Sequence, residues 1–393
     1  QGHDVDTFKR GIFDATRPGI EAEVFELPVP EGSGRVLVVR VPEGAQKPYG
    51  TAAGLYKQRV GKNCMPLDPV AFRRAQVSSA ALDWSGAPAQ GVAMSDLDPL
   101  QLERARQVLR SKAPSSGLLD LPDREFLEGL EAVRDGRVTH AGLLLFARRE
   151  VLARTCPQAQ FHYVLHDSET SVARNDIDRL PLLEAVERME QVFTGPLNPE
   201  REIALGLFKL RVPQYPLEGV REAILNALTH RDYLHPGEVL VRHSAQELVV
   251  TSPGGFVAGI TPDNILRHEA VPRNRTLANA LVKLRLVESS GIGRRRIFRS
   301  ALVYGKRRPA YQTDGHSVTL RLFNRATHDA VALLAARLNA AGAELSLDHL
   351  LVLDALMGQT FIDIGEVAQV LQLPRDDARL VLEALCSPPL SLL

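Results

Sequence analysis

Short strand-like runs open the chain, and apolar residues at helical spacing dominate most of the remainder. RVLVVRV at Arg35–Val41 has strand character and is stopped by the turn residues Pro42-Glu43-Gly44; a second strand-like stretch covers Gly54–Gly61. Residues 78–93, with Pro88 and many small side chains, read as a linker. Helices are predicted over 96–112, with Asp96 as the capping residue, over Asp123–Arg134, over Pro181–Phe193 and over Pro216–Tyr233. The apolar run HAGLLLFAR at 140–148 fits a buried strand or a helix start equally well, because periodicity cannot distinguish them. Phe161–Leu165 reads as a strand, and Val239–His243 with Glu247–Thr251 as a hairpin. The last sixty residues change to short helical patterns with tight turns, the signature of a small all-α or winged-helix module.

At 393 residues this is more chain than one core usually serves, and helices followed by paired strands predict an α+β multidomain protein. Lys plus Arg and Asp plus Glu both count 47, so a nucleic-acid surface must be a local patch. No apolar stretch is long enough for a membrane span. Cys64, Cys156 and Cys386 are scattered, lack partners at metal-ligand spacing and follow no signal peptide, which predicts a cytoplasmic protein with buried structural cysteines. The chain starts at Gln1 and stops after Leu390-Ser391-Leu392-Leu393, so a fragment missing sequence at both ends is expected.

Candidate chemistry centres on REAILNALTHRDY, 221–233. Glu222 and Asn226 are four apart and share one helix face, where a carboxylate and an amide can hold hydrated Mg²⁺ and the carboxylate can orient a water. Such a pair is also common on solvated helices. Downstream lie two glycine turns, TSPGGF at 251–256 and SSGIG at 289–293, the second opening a helix whose amides suit phosphate. Either turn alone would be an ordinary loop.

In this order the segments PLEGVREAILNALTHRDY, TSPGGF, ITPDNILRHEAVPRNRTLANAL and LVESSGIGRRRIF resemble the divergent GHKL-type ATPase domain of bacterial transcriptional regulators often labelled RecG-like. The resemblance implies an adenine nucleotide with Mg²⁺ as cofactors, Glu222 as the water-orienting base and Asn226 as the metal ligand acting through the nucleotide. It also implies Gly254 and Gly255 as the first glycine box, Gly291 and Gly293 as the second, His230-Arg231-Asp232 as an HRD signature, and Arg273 and Asn274 as a lid signature. Where GHKL proteins carry an adenine-reading aspartate, Thr251 and Ser252 stand before Pro253. The segment around AGLLLF is similar to the family's inter-module stretch, and VLVVRVPEGAQKPYG with LYKQRVGKNCMP resembles the second half of a Schlafen-type AlbA-like domain. The implied architecture is a partial AlbA-like module at 1–85, a GHKL-like α/β sandwich with its preceding segment at 92–325, and a winged helix-turn-helix at 326–393, truncated in its wing.

Several basic residues add a nucleic-acid reading. Arg294 and Arg295, in a run continuing through Arg296, Arg299 and Lys306 to Arg308, suit phosphate or DNA contact, or a solvated face. His230 near Asp232 is either a general base or a helix-end histidine satisfied locally. Asp363 and Glu366 form a capping pattern for a helix at Ile364–Leu371, and Arg375–Leu385 follows as a second helix on which Arg375 and Arg379 could face DNA. Asp376, Asp377 and Glu383 on the same helix oppose phosphate, leaving dimerisation as the alternative. The expected function is that of a homo-oligomeric regulator in which nucleotide occupancy biases DNA-binding modules. The alternatives are an enzyme, either a slow Mg²⁺-dependent ATPase or a nuclease of nucleic-acid metabolism or defence, and a structural oligomer with a decayed pocket. Without a G-x-x-x-x-G-K-[ST] loop there is no P-loop helicase motor.

Overall fold

Four strands of the central sheet carry apolar residues at every second position: Phe161 and Tyr163, Val239 and Val241, Leu248 and Val250, Leu320 and Leu322. That period sends one face of each strand into a common core, which helices then cover. In the computed structural model the described residues are all except 1–3, 29–33, 42–47, 61, 70, 73–75, 77–81, 258, 289–290, 326–327, 358, 388–389, 391 and 393. The expected turn at Pro42-Glu43-Gly44 lies outside them. The chain divides into two compact units, 1–83 with 256–259, and 84–255 with 260–393.

The first unit has a helix, α1 (Val5–Ala15), capped by Asp4, and two hairpins: β1 (Glu23–Pro28) with β2 (Arg35–Arg40), and β3 (Lys57–Val60) with β4 (Asn63–Pro66). The strand expected at Arg35–Val41 is β2, and the stretch expected at Gly54–Gly61 supplies β3.

The second unit begins with α2 (Pro99–Lys112), α3 (Asp123–Gly129), α4 (His140–Phe146) and α5 (Arg149–Thr155). Asp98 caps α2 by accepting from the Leu100 amide, with Pro99 in the first turn, so the cap is two residues later than expected; Asp96 instead accepts from the Ala93 amide. The helix expected to run to Arg134 ends at Gly129, because the chain turns through Glu131 at φ 57° into the short strand Val133–Arg134. The ambiguous apolar run is a helix. Thr139 settles it by accepting from the Gly142 amide, and Ala141–Phe146 are all buried, which explains why no polar face marked the period.

Next come β5 (Phe161–His166), β6 (Val172–Asp178), α6 (Leu182–Thr194), a separate hairpin of β7 (Glu200–Leu205) and β8 (Phe208–Pro213), and α7 (Leu217–His230). After β9 (Val239–His243) and β10 (Glu247–Pro253) follow α8 (Arg275–Lys283), α9 (Ile292–Leu302), β11 (Ala310–Thr313) and β12 (Ser317–Phe323). The sheet order is β6-β5-β9-β10-β12-β11, antiparallel except where β5 meets β9. That parallel pair requires a crossover, which α6 and α7 supply, and α7 then packs on β10. The chain ends in helices α10 (Asp329–Ala340), α11 (Leu347–Leu356), α12 (Ile364–Leu371) and α13 (Arg375–Cys386), within the same compact unit.

Residues 84–93, expected as linker, are pinned to the second unit. Trp84 stacks on Tyr233 at 5.0 Å and on His140 at 4.1 Å, and the fully buried Ser85 hydroxyl accepts from the Leu277 amide. The boundary therefore falls at Asp83–Trp84. Of the three cysteines expected to be buried, Cys156 is, and burial pushes its thiol up to about 11, whereas Cys64 on β4 and Cys386 at the end of α13 are exposed.

A buried histidine sets a pH dependence. His243 is 1% exposed, meets the Tyr163 hydroxyl at 2.8 Å through Nδ1 and stacks on Phe193; burial pushes its pKa from 6.5 down to about 4. The unfolded chain takes up the proton first as pH falls, so the stabilisation is complete above pH 6.5 and is lost toward pH 4. Urea unfolding should show about 3 kcal/mol less stability at pH 4 than at pH 7 from this group, and His243→Gln should flatten that dependence. An unchanged pH profile in the variant would refute the assignment.

Candidate functional site

Helix α7 forms because Pro216 precedes its first turn and Val220, Ala223, Ile224, Leu225 and Leu228 give it a continuous apolar face. Glu222, Asn226 and His230, spaced by four, line a different stripe that meets α9. Two glycines of the contact permit the approach. A Cβ on Gly293 would collide with Glu222 Oε2, and one on Gly219 with the Ser300 hydroxyl. Gly291 starts α9 at φ 70°, a left-handed value that glycine adopts without strain.

The structure thus brings together Glu222, Asn226, Gly291 and Gly293. Glu222 is 4% exposed, and its Oε1 accepts from Arg296 Nη1 at 2.6 Å. Its Oε2 has no partner, nor has the buried Asn226 Nδ2, nor the buried Nη1 of Arg294, whose Nη2 donates to the His268 carbonyl. The α9 N-terminus therefore has beside it one acceptor and two donors that are buried and unsatisfied. Such atoms cost about 1–3 kcal/mol each unless something fills them. The pattern suits a group carrying both anionic oxygens and a cation.

Arg296, read in the sequence only as part of the basic run, turns to carboxylates of its own fold. Its guanidinium reaches Glu222, Glu288 and Glu218 at 2.6, 2.6 and 3.0 Å, and the bonds to Glu288 and Glu222 raise its pKa against the opposing effect of burial. The signal for it was the pair of carboxylates at 218 and 222, which share a helix face and need a counter-charge. Other arginines of the basic run also have partners within the chain: Arg295 binds Asp348, as does Arg267, Arg299 binds Glu344 in an exposed pair, and Arg308 binds Asp354. Lys306 is buried against Asn324, and burial pushes its pKa down to about 8.

Gly254, Gly255, Arg273 and Asn274 form a neighbouring cluster that closes the end of α7. Asn274 is fully buried, and its Nδ2 donates to the carbonyls of Thr229 and Arg231 at 2.8 Å each; Arg273 Nε donates to the His230 carbonyl at 2.9 Å. Arg273 also binds the Gly255 carbonyl, and Ser252 donates to the Ala227 carbonyl. Gly254, at φ 94°, lies where a Cβ would strike Asp232, and Gly255 where it would strike the Gly315 carbonyl. Both glycines thus face protein.

The HRD residues are anchors as well. Arg231 is buried, donates to the carbonyls of Gln160, His235 and Gly237, and lies over the Tyr233 ring. Asp232 accepts from the Leu234 amide. Burial, with Arg273 and Arg294 nearby, pushes the His230 pKa down to about 4, so the ring is neutral at neutral pH. At the far end, Asp363 and Glu366 make the expected reciprocal cap on α12, and Gln372 ends that helix at φ 54°. Arg375 and Arg379 are exposed on α13, and no strand follows α13 among the described residues.

A mixed α/β unit with its helices packed on a six-stranded sheet is the class this fold defines. Residues 237–322 match a family model described as "Putative ATP-dependent DNA helicase recG C-terminal", and 71–162 match one described as a domain of unknown function, DUF8451. The first match makes this region RecG C-terminal-like and in keeping with ATP binding; it spans both glycine turns, Arg273 and Asn274, and starts after Glu222 and Asn226. Among solved structures, the chain is similar to the DIP2311 protein from Corynebacterium diphtheriae, at 28% identity and TM-score 0.65, over 97% of this chain and 75% of that one. No curated protein matches. Among the described residues no helix is long and apolar enough to cross a membrane, and no cluster of three or more His, Cys, Asp or Glu could hold a metal ion.

Replacing Asn274 tests the cap. Asn274→Ala removes two hydrogen bonds and leaves buried carbonyls unpaired, so urea unfolding should report a loss of about 2–4 kcal/mol. A change below about 0.5 kcal/mol, the scale of ordinary surface substitutions, would show that α7 ends without it.

Proposed function

We propose that the second unit is a divergent GHKL-type module that binds an adenine nucleotide with Mg²⁺, and that its occupancy biases DNA-binding modules in a transcriptional regulator. One observation carries this reading: Glu222 Oε2 and Asn226 Nδ2 are buried, unpartnered and gathered against Gly293 at the start of α9. The residues fit the group. Asn226 Nδ2 and Arg294 Nη1 offer donors to phosphate oxygens, and Glu222 Oε2 offers an acceptor to a metal-bound water. Mg²⁺ would supply charge neutralisation of the phosphates. Glycine at 293 lets Glu222 Oε2 come up against the first turn of α9, whose helix dipole favours negative charge. Glu222 already shares its charge with Arg296, so as a water-orienting base it supports only slow turnover.

In this reading residues 1–85 are the second part of an AlbA-like domain, 92–325 the nucleotide region with its preceding segment, and 326–393 a helix-turn-helix. DNA contact falls to Arg375 and Arg379, since Arg294 and Arg295 have partners within the fold. A decayed pocket is the second reading. It is favoured by Ser252, whose hydroxyl is spent on the Ala227 carbonyl at the point where an adenine-reading carboxylate is expected.

Calorimetry with a nonhydrolysable ATP analogue and Mg²⁺ separates the two. Binding by the wild type that weakens at least tenfold in Asn226→Ala supports the nucleotide module; no heat leaves the decayed pocket, and equal heat in both shows the assignment of the pocket to Asn226 to be wrong. Glu222→Ala should bind nucleotide yet release no phosphate, and undiminished release would remove Glu222 from the chemistry. For DNA, anisotropy across a salt series should show a shallower salt slope in Arg375→Ala/Arg379→Ala, and an unchanged slope would assign α13 to another role.

A further inference from the structure

The hairpin β7–β8 is an arm with two chemically different faces. Its register pairs Leu205 with Phe208, Ile203 with Leu210 and Arg201 with Val212, so Ile203, Leu205, Phe208, Leu210 and Val212 share one face, with Arg201 at its base. The opposite face carries Glu200, Glu202, Lys209 and Arg211. Burial of the apolar face decays from base to tip. Val212 is 1% exposed, Ile203, Leu205 and Leu210 are half-buried, Phe208 is 76% exposed, and Leu207 in the turn is fully exposed. At the base Arg201 grips Asp329 at the start of α10. A two-stranded hairpin is marginal by itself and needs its apolar face covered, and this fold covers only the base.

The same unit contains a cavity of about 1060 Å³ beside that base. Leu217, Val303, Ala332, Ala335, Ala336 and Leu345 contribute its apolar and small-residue lining, and Glu200, Glu218, Glu344 and Arg299 its charged groups. Glu200, Leu210 and Pro213 of the arm itself also line it, whereas Leu207 and Phe208, beyond Leu210 at the tip, line no part of it and stay exposed. The two surfaces are complementary. Phe208 and Leu207 offer apolar bulk to alanine-lined space, and the polar face near the tip, with Lys209 and Arg211 against Glu202, has a surplus positive charge for cavity groups in which carboxylates outnumber arginine.

We propose that the covering partner is a second copy of this chain, the two copies exchanging arms about a two-fold axis so that Leu207 and Phe208 of each enter the cavity of the other. Arm and cavity are neighbours on one chain, and a single two-fold operation therefore satisfies both in both copies. This is independent of any nucleotide at Glu222.

The full chain should sediment as a dimer. Leu207→Asp/Phe208→Asp, which alters only exposed residues, should halve the mass, and Ala336→Trp, which fills the cavity, should do the same; circular dichroism and the melting temperature of the monomers should show that both still fold. With Cys64 and Cys386 replaced by serine, Leu207→Cys mixed with Ala336→Cys should form a disulfide-linked dimer that neither protein forms alone. A monomeric wild type, a dimer that survives either the tip or the cavity substitution, or no cross-link in the mixture would each overturn the proposal, the first assigning the arm to a different protein.

Discussion

A helix that ends inside a protein has to satisfy its last carbonyls, and the C-terminal end of α7 is where this molecule meets that demand. Thr229, His230 and Arg231 present successive carbonyls, which Asn274 and Arg273 take up, while Ser252 takes that of Ala227. These side chains come from β10 and from the segment before α8, so capping one helix also fixes the turn after β10 and the entry to α8. The glycines at 254 and 255 follow from the same demand, because a larger residue would push Asp232 or the Gly315 backbone aside. Residues that read as ligand-contacting signatures hold the frame in which α7 presents its other stripe.

That stripe is electrostatically uneven. Glu222 is buried where an unpaired carboxylate would be costly, and Arg296 binds one of its oxygens only. Unpartnered buried atoms occur in both clusters: Asn274 Oδ1, Thr229 Oγ1 and Arg231 Nε at the cap, and Glu222 Oε2, Asn226 Nδ2 and Arg294 Nη1 at the start of α9. At the cap Asn274 and Arg231 are anchored through their other atoms, which hold neighbouring segments together. What distinguishes the candidate site is that Glu222 Oε2 and Asn226 Nδ2 both lie against Gly293 at a helix N-terminus.

Much of the fold was legible in the order of residues. Strands with a two-residue period, such as Val239–His243, and one-sided helices, such as Leu182–Thr194, announce themselves because each buries one face. Legibility failed where burial was complete, as in Ala141–Phe146, and where a single backbone conformation ended a helix, as at Glu131. It failed again for Trp84 and Ser85, whose partners lie far along the chain at Tyr233 and Leu277.

The sequence by itself determined the local terms: which runs become helices and strands, where Asp363 and Glu366 cap, and that Glu222 and Asn226 share a face, since spacing within a helix follows from 3.6 residues per turn. Only the tertiary structure decided which of those residues are spent. That Arg273 and Asn274 close a helix, that Arg296 neutralises Glu222, and that Leu207 and Phe208 stay uncovered depend on contacts between distant segments, which packing alone brings within hydrogen-bonding or van der Waals reach.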